Sequence, residues 1–509
     1  ASTATRLERA CAVGQSLFDV YPHTVVSTDF IKSDRRRDEF LRSCPELVIV
    51  DEAHLFKNLA TESNIRDAAI TGSNRASDLH MKLEYLRSQG HKRVTTMTTA
   101  TPISNSVTEA YVMQRYLRPD LFEAAGIGES FDAWAATFGE TVTQMEMSPT
   151  GASFRLKTRF AAFQNGAELI RLFSTFADVK TAEDLNLPTP EIQMRNDGNR
   201  APATLPVAPT AELVQFVNEL GVRAARISTG VVDPREDNML SVTSDGRKAA
   251  LDIRLVIPND PSGPTKVEVA ADLIFRAWMQ NRDREYLDAV TGEPSGTTGA
   301  LQLVFSDLST PNRERWNVYE ELRTQLVYRG MPADSIRFIH EARNDIEKAN
   351  LFAAARAGHI AVLVGSTERM GVGTNVQARA LALYHLDCPW RPSDIAQREG
   401  RIMRQGNQND EIAIVRLVTE RSFDSYMWQG IERKAKFISQ LMRGKLDVRR
   451  IEEIDSVTLS AAEAKAISSG NPLLLEHSTL QSEVTRLRRL ERAHQGNERM
   501  LLHTREQAE

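Results

Sequence analysis

The sequence predicts an α/β protein with two lobes, each built around a parallel β-sheet. Short apolar runs that end in polar residues or glycine alternate with longer helical patterns, which is typical of parallel strands covered by helices. The runs form two sets separated by a long stretch of different character, so two sheets are expected. The length of 509 residues also exceeds what a single hydrophobic core usually serves.

The predicted strands fall early in the chain and again after its midpoint. The first set comprises the runs at residues 23–27, 46–50 and 94–97. The second set comprises the runs at residues 301–305, 335–339, 360–364, 380–385 and 411–418. Because these runs are short, apolar and rich in β-branched residues, we expect buried strands.

Helical patterns surround the strands and define the expected domains. Apolar residues recur at helical spacing across 108–184, and again at 211–227 and 267–281. Prolines between these patterns make 187–210 the predicted linker. We therefore expect a first lobe at 1–186 with a helical insertion, a second lobe at 211–450 with an N-terminal helical part, and a helical C-terminal extension at 451–509.

Composition excludes several classes of protein. Apolar residues make up 41% of the chain and charged residues 26%, as in soluble globular proteins. No apolar run is long enough to span a bilayer, and the N-terminus lacks a secretory layout, so no membrane partner is expected. The three cysteines show no CxxC spacing, which argues against zinc or disulfides and favours the cytoplasm. Because the net charge is −5, DNA contact would need a local basic groove.

The first chemical signal is the string Asp51-Glu52-Ala53-His54, which directly follows four apolar residues. Ligands of open α/β sheets bind at the carboxyl ends of the strands. One carboxylate there can hold a hydrated Mg²⁺ while its neighbour polarises an attacking water, as phosphoryl transfer requires. An acidic loop is the alternative for the dipeptide alone, and the complete string favours the functional interpretation. His54 has no second ligand at helical spacing, so zinc binding is not expected.

Two further strings follow predicted strands. Thr99-Ala100-Thr101-Pro102 places small hydroxyl groups at a strand end, where they can link neighbouring sites by hydrogen bonds, although Thr-Pro turns are common. At residues 365–377 a buried strand opens into a glycine-containing segment whose backbone can approach a ligand closely. An ordinary strand-to-helix turn is the alternative interpretation of the second string.

The most specific string is Gln-Arg-Glu-Gly-Arg-Ile-Met-Arg-Gln-Gly at residues 397–406. Arg401 and Arg404 are three residues apart and would project from one face of a helix. Two guanidinium groups on one face suit a triphosphate, whose charge spreads over several oxygens in the transition state. A solvated basic helix is the alternative for such a pair without its context.

Taken in order, these strings resemble the superfamily-two helicases and translocases, and in detail their Swi/Snf branch. Residues 100–105, Ala-Thr-Pro-Ile-Ser-Asn, look like that branch's motif III, and residues 386–392, Leu-Asp-Cys-Pro-Trp-Arg-Pro, are similar to the element before its motif VI. The resemblance runs from about residue 24 to 426 and is loose only for motif IV at 303–307. It implies two RecA-like lobes, ATP and Mg²⁺ as cofactors, and double-stranded DNA as the partner.

The resemblance also implies roles for individual residues. Asp51 would bind Mg²⁺ and Glu52 would activate water, while Arg401 and Arg404 would act as arginine fingers from the second lobe. Gln397 would help to sense the nucleotide. Further roles are implied in nucleotide binding (His54, Gly371 and Gly373), in coupling hydrolysis to lobe movement (Thr99, Thr101 and Asn105) and in the DNA track (Asn375, Gln377 and Trp390).

A second resemblance concerns residues 74–139, which look like large phage- and plasmid-borne proteins. Those proteins join such a motor to a DNA adenine methylase-like region. A methylase-like region upstream in the same polypeptide is therefore an expected partner, although these 509 residues contain no methylase motif.

The chain departs from the family in motif I. A phosphate-cradling loop needs glycines followed by Lys and Ser or Thr, and neither Gly-Lys-Ser nor Gly-Lys-Thr occurs. In the family this loop precedes motif II by more than fifty residues, so we expect that the chain begins after the loop; a degenerate motor is the alternative. This chain alone is then expected to hydrolyse ATP poorly or not at all.

The leading functional expectation is an ATP-driven motor that moves along or remodels double-stranded DNA. An unwinding helicase is a rival of the same class. A DNA-binding or scaffold module that does not hydrolyse ATP is a rival of a different class. Fold-level likeness does not choose the biological pathway.

Overall fold

A computed structural model of the chain describes residues 24–26, 34–63, 70–103, 107–126, 130–147, 154–163, 165–180, 182–228, 232–233, 235–258, 260–288, 291–312, 314–370, 375–442 and 451–452. The predicted strand at 23–27 falls mostly outside this range, and residues 24–26 have no strand structure.

The first lobe begins with strands and helices in alternation and continues into a hairpin. Its elements are α1 (Asp34–Ser43), β1 (Val48–Val50), α2 (Asn74–Ser88), β2 (Thr95–Met97), α3 (Val107–Leu117), α4 (Asp120–Ala124), α5 (Phe131–Phe138), β3 (Gly139–Met147), β4 (Phe154–Phe163), α6 (Gly166–Ser174) and α7 (Ala182–Leu185). A short 3-10 helix, Ala53–Phe56, follows β1.

Strands β1 and β2 form a parallel pair, as the two apolar runs predict. Val48 pairs with Thr95 and Val50 with Met97, so the two strands end at the same edge. Val50 is buried against the helices, whereas Ile49 is 69% exposed on the opposite face. Parallel strands usually bury both faces. Within the described part of the chain, that face of β1 is uncovered.

An aromatic cluster forms the core behind this strand pair. Tyr111 on α3 packs edge-to-face against Phe131 and Trp134 on α5, at ring-centroid distances of 5.2 and 5.8 Å. The Trp134 indole donates to Gln114 Oε1 at 3.2 Å, so its polar atom is satisfied inside the core. Tyr116 donates to the backbone oxygens of Phe56 and Ala76 and thereby ties α3 to the loop after β1.

Part of the stretch 108–184 is not helical, contrary to its helical pattern. Strands β3 and β4 pair in antiparallel fashion along almost their whole length. The β-branched residues Thr141, Val142 and Thr143 in β3 favour a strand, and residues 154–160 of β4 alternate between basic side chains and mostly apolar ones. The prediction of helix was therefore wrong for residues 139–147 and 154–163.

The second lobe is built on a larger sheet. Its elements are β5 (Glu191–Ile192), β6 (Ala203–Val207), α8 (Ala211–Ser228), α9 (Met239–Leu251), α10 (Lys266–Asn281), β7 (Glu285–Leu287), β8 (Pro294–Thr298), β9 (Leu301–Phe305), α11 (Val318–Tyr328), β10 (Ile336–Phe338), α12 (Asp345–Ala357), β11 (Val362–Gly365), α13 (Thr367–Met370), β12 (Ala380–His385), α14 (Pro392–Glu399), β13 (Glu411–Thr419) and α15 (Phe423–Met442).

The strands of this sheet are all parallel. Their order is β10-β11-β9-β12-β13, with β5 and β6 both pairing with β13. At its centre Leu303 pairs with Leu363 on one side and Leu383 on the other. All residues of β9 and β12 are buried, because helices cover both faces. Side chains alternate between the faces: Val304 packs towards α10 and α11, and Leu303 towards α12.

The segment 187–210, predicted as a linker, contributes β5 and β6 to this sheet. Both strands pair with β13, the outer member of the central series. Pro206 lies within β6, where an edge strand tolerates a residue without a backbone N–H. The prolines thus allow edge strands as well as the irregular structure that was expected from them.

Helices α8, α9 and α15 pack together beside the sheet. Gly246 on α9 lies so close to α15 that a Cβ there would come within 2.6 Å of the Phe423 ring. Phe423 is completely buried among Leu220, Val242 and neighbouring apolar residues. The missing side chain at Gly246 is therefore what lets the two helices approach.

The predicted fold class is confirmed: the chain is α/β, with parallel sheets and many helices, consistent with RecA-like lobes. The exact domain boundaries stay a prediction. Of the predicted helical extension at 451–509, only β14 (Ile451–Glu452) is described, and it pairs with β4. Among the described residues, no helix has the length and apolar character to cross a membrane.

Candidate functional site

The carboxylates of the Asp-Glu-Ala-His string stand where β1 and β2 end together. The Asp51 Oδ1 atom accepts a hydrogen bond from the Thr98 hydroxyl at 2.9 Å and one from the Glu52 N–H at 3.0 Å. The Ala53 N–H donates to the Thr98 oxygen, which continues the strand pairing past the string. Asp51 is exposed, and within the described residues nothing donates to its Oδ2 atom.

Glu52 adopts a left-handed backbone conformation, with φ 52° and ψ 48°. For a residue with a side chain this conformation costs about 1–3 kcal/mol, and it tends to occur at functional sites. The turn directs the Glu52 carboxylate to His54, with Oε2 at 3.2 Å from Nδ1. The Glu52 side chain is 42% exposed.

His54 connects the string to the threonines after β2. Its Nδ1 atom lies 3.4 Å from the Thr99 hydroxyl, and the Thr101 N–H donates to that hydroxyl at 3.1 Å. Burial lowers the pKa of His54. The negative charge of Glu52 raises this pKa, and the positive charges of Lys57 and Arg391 lower it further. The string 51–54 and the string 99–101 thus form one hydrogen-bonded unit.

The second-lobe arginines lie in turns directly after α14. Helix α14 ends at Glu399, and the N–H groups of Arg401 and Arg404 donate to the oxygens of Arg398 and Ile402. Gly406 follows with a φ of +85°, which a residue with a side chain adopts only at a cost. The two arginines therefore occupy successive turns and not the single helix face suggested by their spacing.

Charges from the two lobes meet at this point. Burial lowers the pKa of Arg401, the like charge of Arg404 lowers it further, and Glu52 opposes both effects. Two charged residues at the start of α14 also affect the pKa of His54: Arg391 lowers it and Asp394 raises it. Glu52 and His54 therefore lie within electrostatic range of charged residues at α14 and in the turns that follow it.

The remaining predicted site residues occupy varied settings. Gln397 is half-buried on α14, and the Gln377 amide donates to the Gln405 oxygen at 3.1 Å, beside the arginine turns. Asn375 is exposed, and its backbone oxygen accepts from Arg356. Trp390 packs against a buried apolar cluster, with the Arg247 guanidinium 4.2 Å above its ring. Gly371, Gly373 and Asn105 lie outside the described residues.

Arg398 is a buried hub that the sequence interpretation did not single out. Its guanidinium donates to Asp307 at 2.7 Å, to Asp387 at 3.0 Å and to the Thr367 hydroxyl at 2.7 Å. Asp307 follows β9 and Asp387 follows β12, so the hub collects the carboxyl ends of neighbouring strands. Although burial opposes it, Asp387 and Asp307 raise the pKa of Arg398.

The hub also organises the backbone around it. Asp387 Oδ2 accepts from the N–H groups of Asp307 and Leu308, and Asp307 Oδ1 accepts from the Thr367 N–H. Arg398 lies three residues before Arg401, so the hub fixes the helix from which the arginine turns emerge. One signal pointed to it: an aspartate stands two residues after the end of each of two predicted strands, at 301–305 and 380–385.

Comparison with known proteins identifies two segments of the chain. Residues 27–181 match the family described as a probable helicase domain, and residues 307–406 match the helicase conserved C-terminal domain. Two segments of the chain are helicase-like. The first contains the Asp-Glu-Ala-His string, and the second contains the hub and both arginines.

Two individual proteins also resemble parts of the chain. The "Defense against restriction protein B" of Escherichia phage P1 is 32% identical over 95 residues, which cover 18% of this chain and 4% of the phage protein. The C-terminal part of the Fun30 ATPase domain aligns with 54% of this chain and 98% of its own length, at 14% identity and a TM-score of 0.32. That TM-score is too low to establish a shared fold.

Proposed function

We propose that these residues form most of the motor of an ATP-dependent DNA translocase of the Swi/Snf type. One observation supports this above the others: Glu52 in one helicase-like segment lies within electrostatic range of Arg401 in the other. Motors of this kind place a catalytic carboxylate and arginine fingers on opposite sides of a nucleotide cleft. The proposed reaction is ATP hydrolysis coupled to movement along, or remodelling of, double-stranded DNA.

Asp51 is the proposed Mg²⁺ ligand. Its exposed carboxylate is oriented by Thr98 through Oδ1, and Oδ2 is left open to a hydrated cation. Mg²⁺ prefers carboxylate oxygens and keeps several of its waters, so one exposed carboxylate fits this ion. When bound, Mg²⁺ would neutralise charge on the phosphates.

Glu52 is the proposed general base, held in place by its left-handed turn and by His54. A carboxylate so placed can orient a water and accept its proton. Thr99 and Thr101 extend this unit away from the carboxylates, which fits a role in coupling hydrolysis to lobe movement. Arg401 and Arg404 are proposed to stabilise the charge that develops on the transferred phosphoryl group, with Gln397 nearby on α14.

DNA is proposed to run beside the same cleft, with Asn375 and Gln377 next to the arginine turns. The packing of Trp390 under Arg247 favours a structural role for that side chain over direct DNA contact. A methylase-like region in the same polypeptide stays a proposal, to which the short match with the phage protein lends limited support.

The test is Glu52→Gln in the complete product of the gene that encodes these residues. Removing the base should reduce DNA-stimulated ATP turnover by about a hundredfold or more, while DNA affinity stays unchanged. Turnover is measured in a coupled phosphate-release assay and affinity by fluorescence anisotropy with labelled duplex DNA. Glu123→Gln is the matched control, since Glu123 is exposed on α4 and distant in sequence from the string.

Unchanged turnover in Glu52→Gln would remove the proposed role of this residue. A strand-displacement assay on forked DNA separates the translocase from an unwinding helicase. A complete gene product that binds DNA but never hydrolyses ATP would favour the rival, a non-hydrolysing DNA-binding or scaffold module. The 509 residues contain no Gly-Lys-Ser/Thr loop, and this observation supports the non-hydrolysing module as the rival function.

A further inference from the structure

We propose that the β7–β8 hairpin positions the arginine loop, defined as residues 400–407, through a relay of three polar side chains. The relay consists of Tyr286, Asn409 and Asn407. This inference rests on the proposed function, because the loop matters for its two arginines. The hairpin lies before residue 307 and so outside the segment that matches the helicase C-terminal domain.

The relay runs from the hairpin into the loop backbone. The Tyr286 hydroxyl donates to Asn409 Oδ1 at 2.8 Å, and Asn409 Nδ2 donates to Asn407 Oδ1 at 2.9 Å. Asn407 Nδ2 then donates to the Ile402 oxygen at 3.1 Å and to the Ala380 oxygen at 2.9 Å. The relay therefore ends on the peptide group between Ile402 and Met403, one residue beyond the first arginine.

A second contact clamps the hairpin to the residue between the two asparagines. The Leu287 N–H donates to Gln408 Oε1, and Gln408 Nε2 donates back to the Leu287 oxygen, both at 2.8 Å. The Gln408 N–H donates to the Ala378 oxygen at 3.0 Å. The amide side chain thus pairs with one residue of β7 in the way that a neighbouring strand would.

The hairpin itself is held firmly to the body of the lobe. Arg379 donates to the Thr297 oxygen at 3.0 Å and to the Ser295 hydroxyl, and its guanidinium lies 5.2 Å from the centre of the Tyr286 ring. Tyr286 is buried against Ala300 and Leu381, the latter on β12. An isolated two-stranded hairpin is only marginally stable, so these contacts are what give it a defined position.

Positioning matters here because the proposed work of an arginine finger is geometric. A displacement of about 1 Å in a catalytic group can cost two orders of magnitude in rate. The arginine loop consists of turns after α14, and its backbone N–H groups donate to oxygens within the loop or at the end of α14. The side chains of Asn407 and Gln377 bind the Ile402 and Gln405 oxygens and thereby tie the loop to the rest of the lobe.

The test is Tyr286→Phe, which removes one hydroxyl and keeps the buried ring. The expected result is a fall in kcat of about two- to tenfold, the effect of one lost hydrogen bond, with an unchanged KM for ATP. The complete gene product is used for this assay. Tyr328→Phe is the control: Tyr328 is 88% exposed on α11, and the same change there should leave kcat unaltered.

A double mutant distinguishes positioning from general stability. If Tyr286 acts through the loop, Tyr286→Phe should lower kcat little further in an Arg401→Ala background, because the finger next to the end of the relay is already absent. Equal losses in both backgrounds would overturn the proposal. So would a Tyr286→Phe protein whose kcat equals that of the wild type.

Hydrogen exchange on the 509-residue chain provides a readout that does not require turnover. Tyr286→Phe should speed exchange of the backbone amides at 402–405, and Tyr328→Phe should not. If the wild-type gene product shows no ATP turnover but the amides respond, the proposed function fails and the hairpin's control of the loop stands. If turnover is present and neither kcat nor the amides respond, the hairpin inference alone fails.

Discussion

At the scale of single residues, the environment decides what a charged side chain can do. Arg398 is completely buried, yet four oxygen acceptors surround its guanidinium, so its charge is retained. Arg401, three residues later, is held against the like charge of Arg404, and the carboxylate of Glu52 offsets only part of that repulsion. Identical side chains in one string thus serve as a structural hub and as a candidate for anion binding.

His340 supports a prediction about pH. Burial and the nearby Arg369 lower its pKa to about 4, from an ordinary value near 6.5, and its Nδ1 atom has no hydrogen-bond partner among the described residues. Between about pH 4 and pH 6.5, His340 takes up a proton in the unfolded chain but stays neutral in the folded protein. Stability contributed by the neutral ring is therefore complete above about pH 6.5 and is lost as the pH falls.

The measurement compares the free energy of unfolding in urea at pH 7.5 and pH 5. Wild-type protein should lose about 1–2 kcal/mol more than His340→Gln over this interval, after allowance for partial solvent exposure. His359→Gln, at an exposed histidine after α12, should behave like the wild type. Parallel losses in wild type and His340→Gln would contradict the assignment.

At the scale of elements, two glycines within helices differ in how closely their surroundings pack against them. A Cβ at Gly246 on α9 would meet the Phe423 ring at 2.6 Å, whereas one at Gly430 on α15 would meet nothing within 4 Å. Both residues lie within helices, where alanine is intrinsically favoured over glycine by about 1 kcal/mol. Packing, not propensity, should separate the two substitutions.

We expect Gly246→Ala to destabilise the protein by about 1–3 kcal/mol, because the methyl group overpacks the contact between α9 and α15. Gly430→Ala should stabilise it by about 0.5–1 kcal/mol. Urea titrations of both variants beside the wild type give the two values. Stabilisation by Gly246→Ala would mean that the two helices are further apart than described.

At the scale of the whole molecule, the proposed motor is divided between two helicase-like segments, with Glu52 in the first and Arg401 in the second. The proposed hydrolysis also needs backbone N–H groups and a lysine around the β- and γ-phosphates, and no Gly-Lys-Ser/Thr string exists in the 509 residues. A protein with Glu52 and Arg401 in place but without that cradle should not hold ATP for attack.

We therefore expect the 509-residue chain to show ATP turnover at assay background, with or without duplex DNA. Vigorous DNA-stimulated hydrolysis by the 509 residues alone would contradict this expectation and would require a phosphate-binding arrangement of a different kind.

The strands of the second lobe were the most predictable part of the fold. Strands β9 and β12 have the boundaries that their apolar runs predict, because a strand buried on both faces is apolar along its whole length. The β3–β4 hairpin was less predictable, since strings with helical spacing lie on both sides of it and the whole stretch was interpreted as helical. β5 and β6 were taken for linker because prolines mark edge strands and loops alike.

The sequence by itself determined the α/β class, the central strands, and the order of the strings that carry the candidate chemistry. Only the tertiary structure decided that Glu52 lies within electrostatic range of Arg401, that Arg398 joins Asp307 across 91 residues, and that Tyr286 reaches Asn409 across 123. Strand formation depends on local apolar pattern, which the sequence displays directly. A charge's neighbours depend on how whole lobes pack, and no local pattern records that.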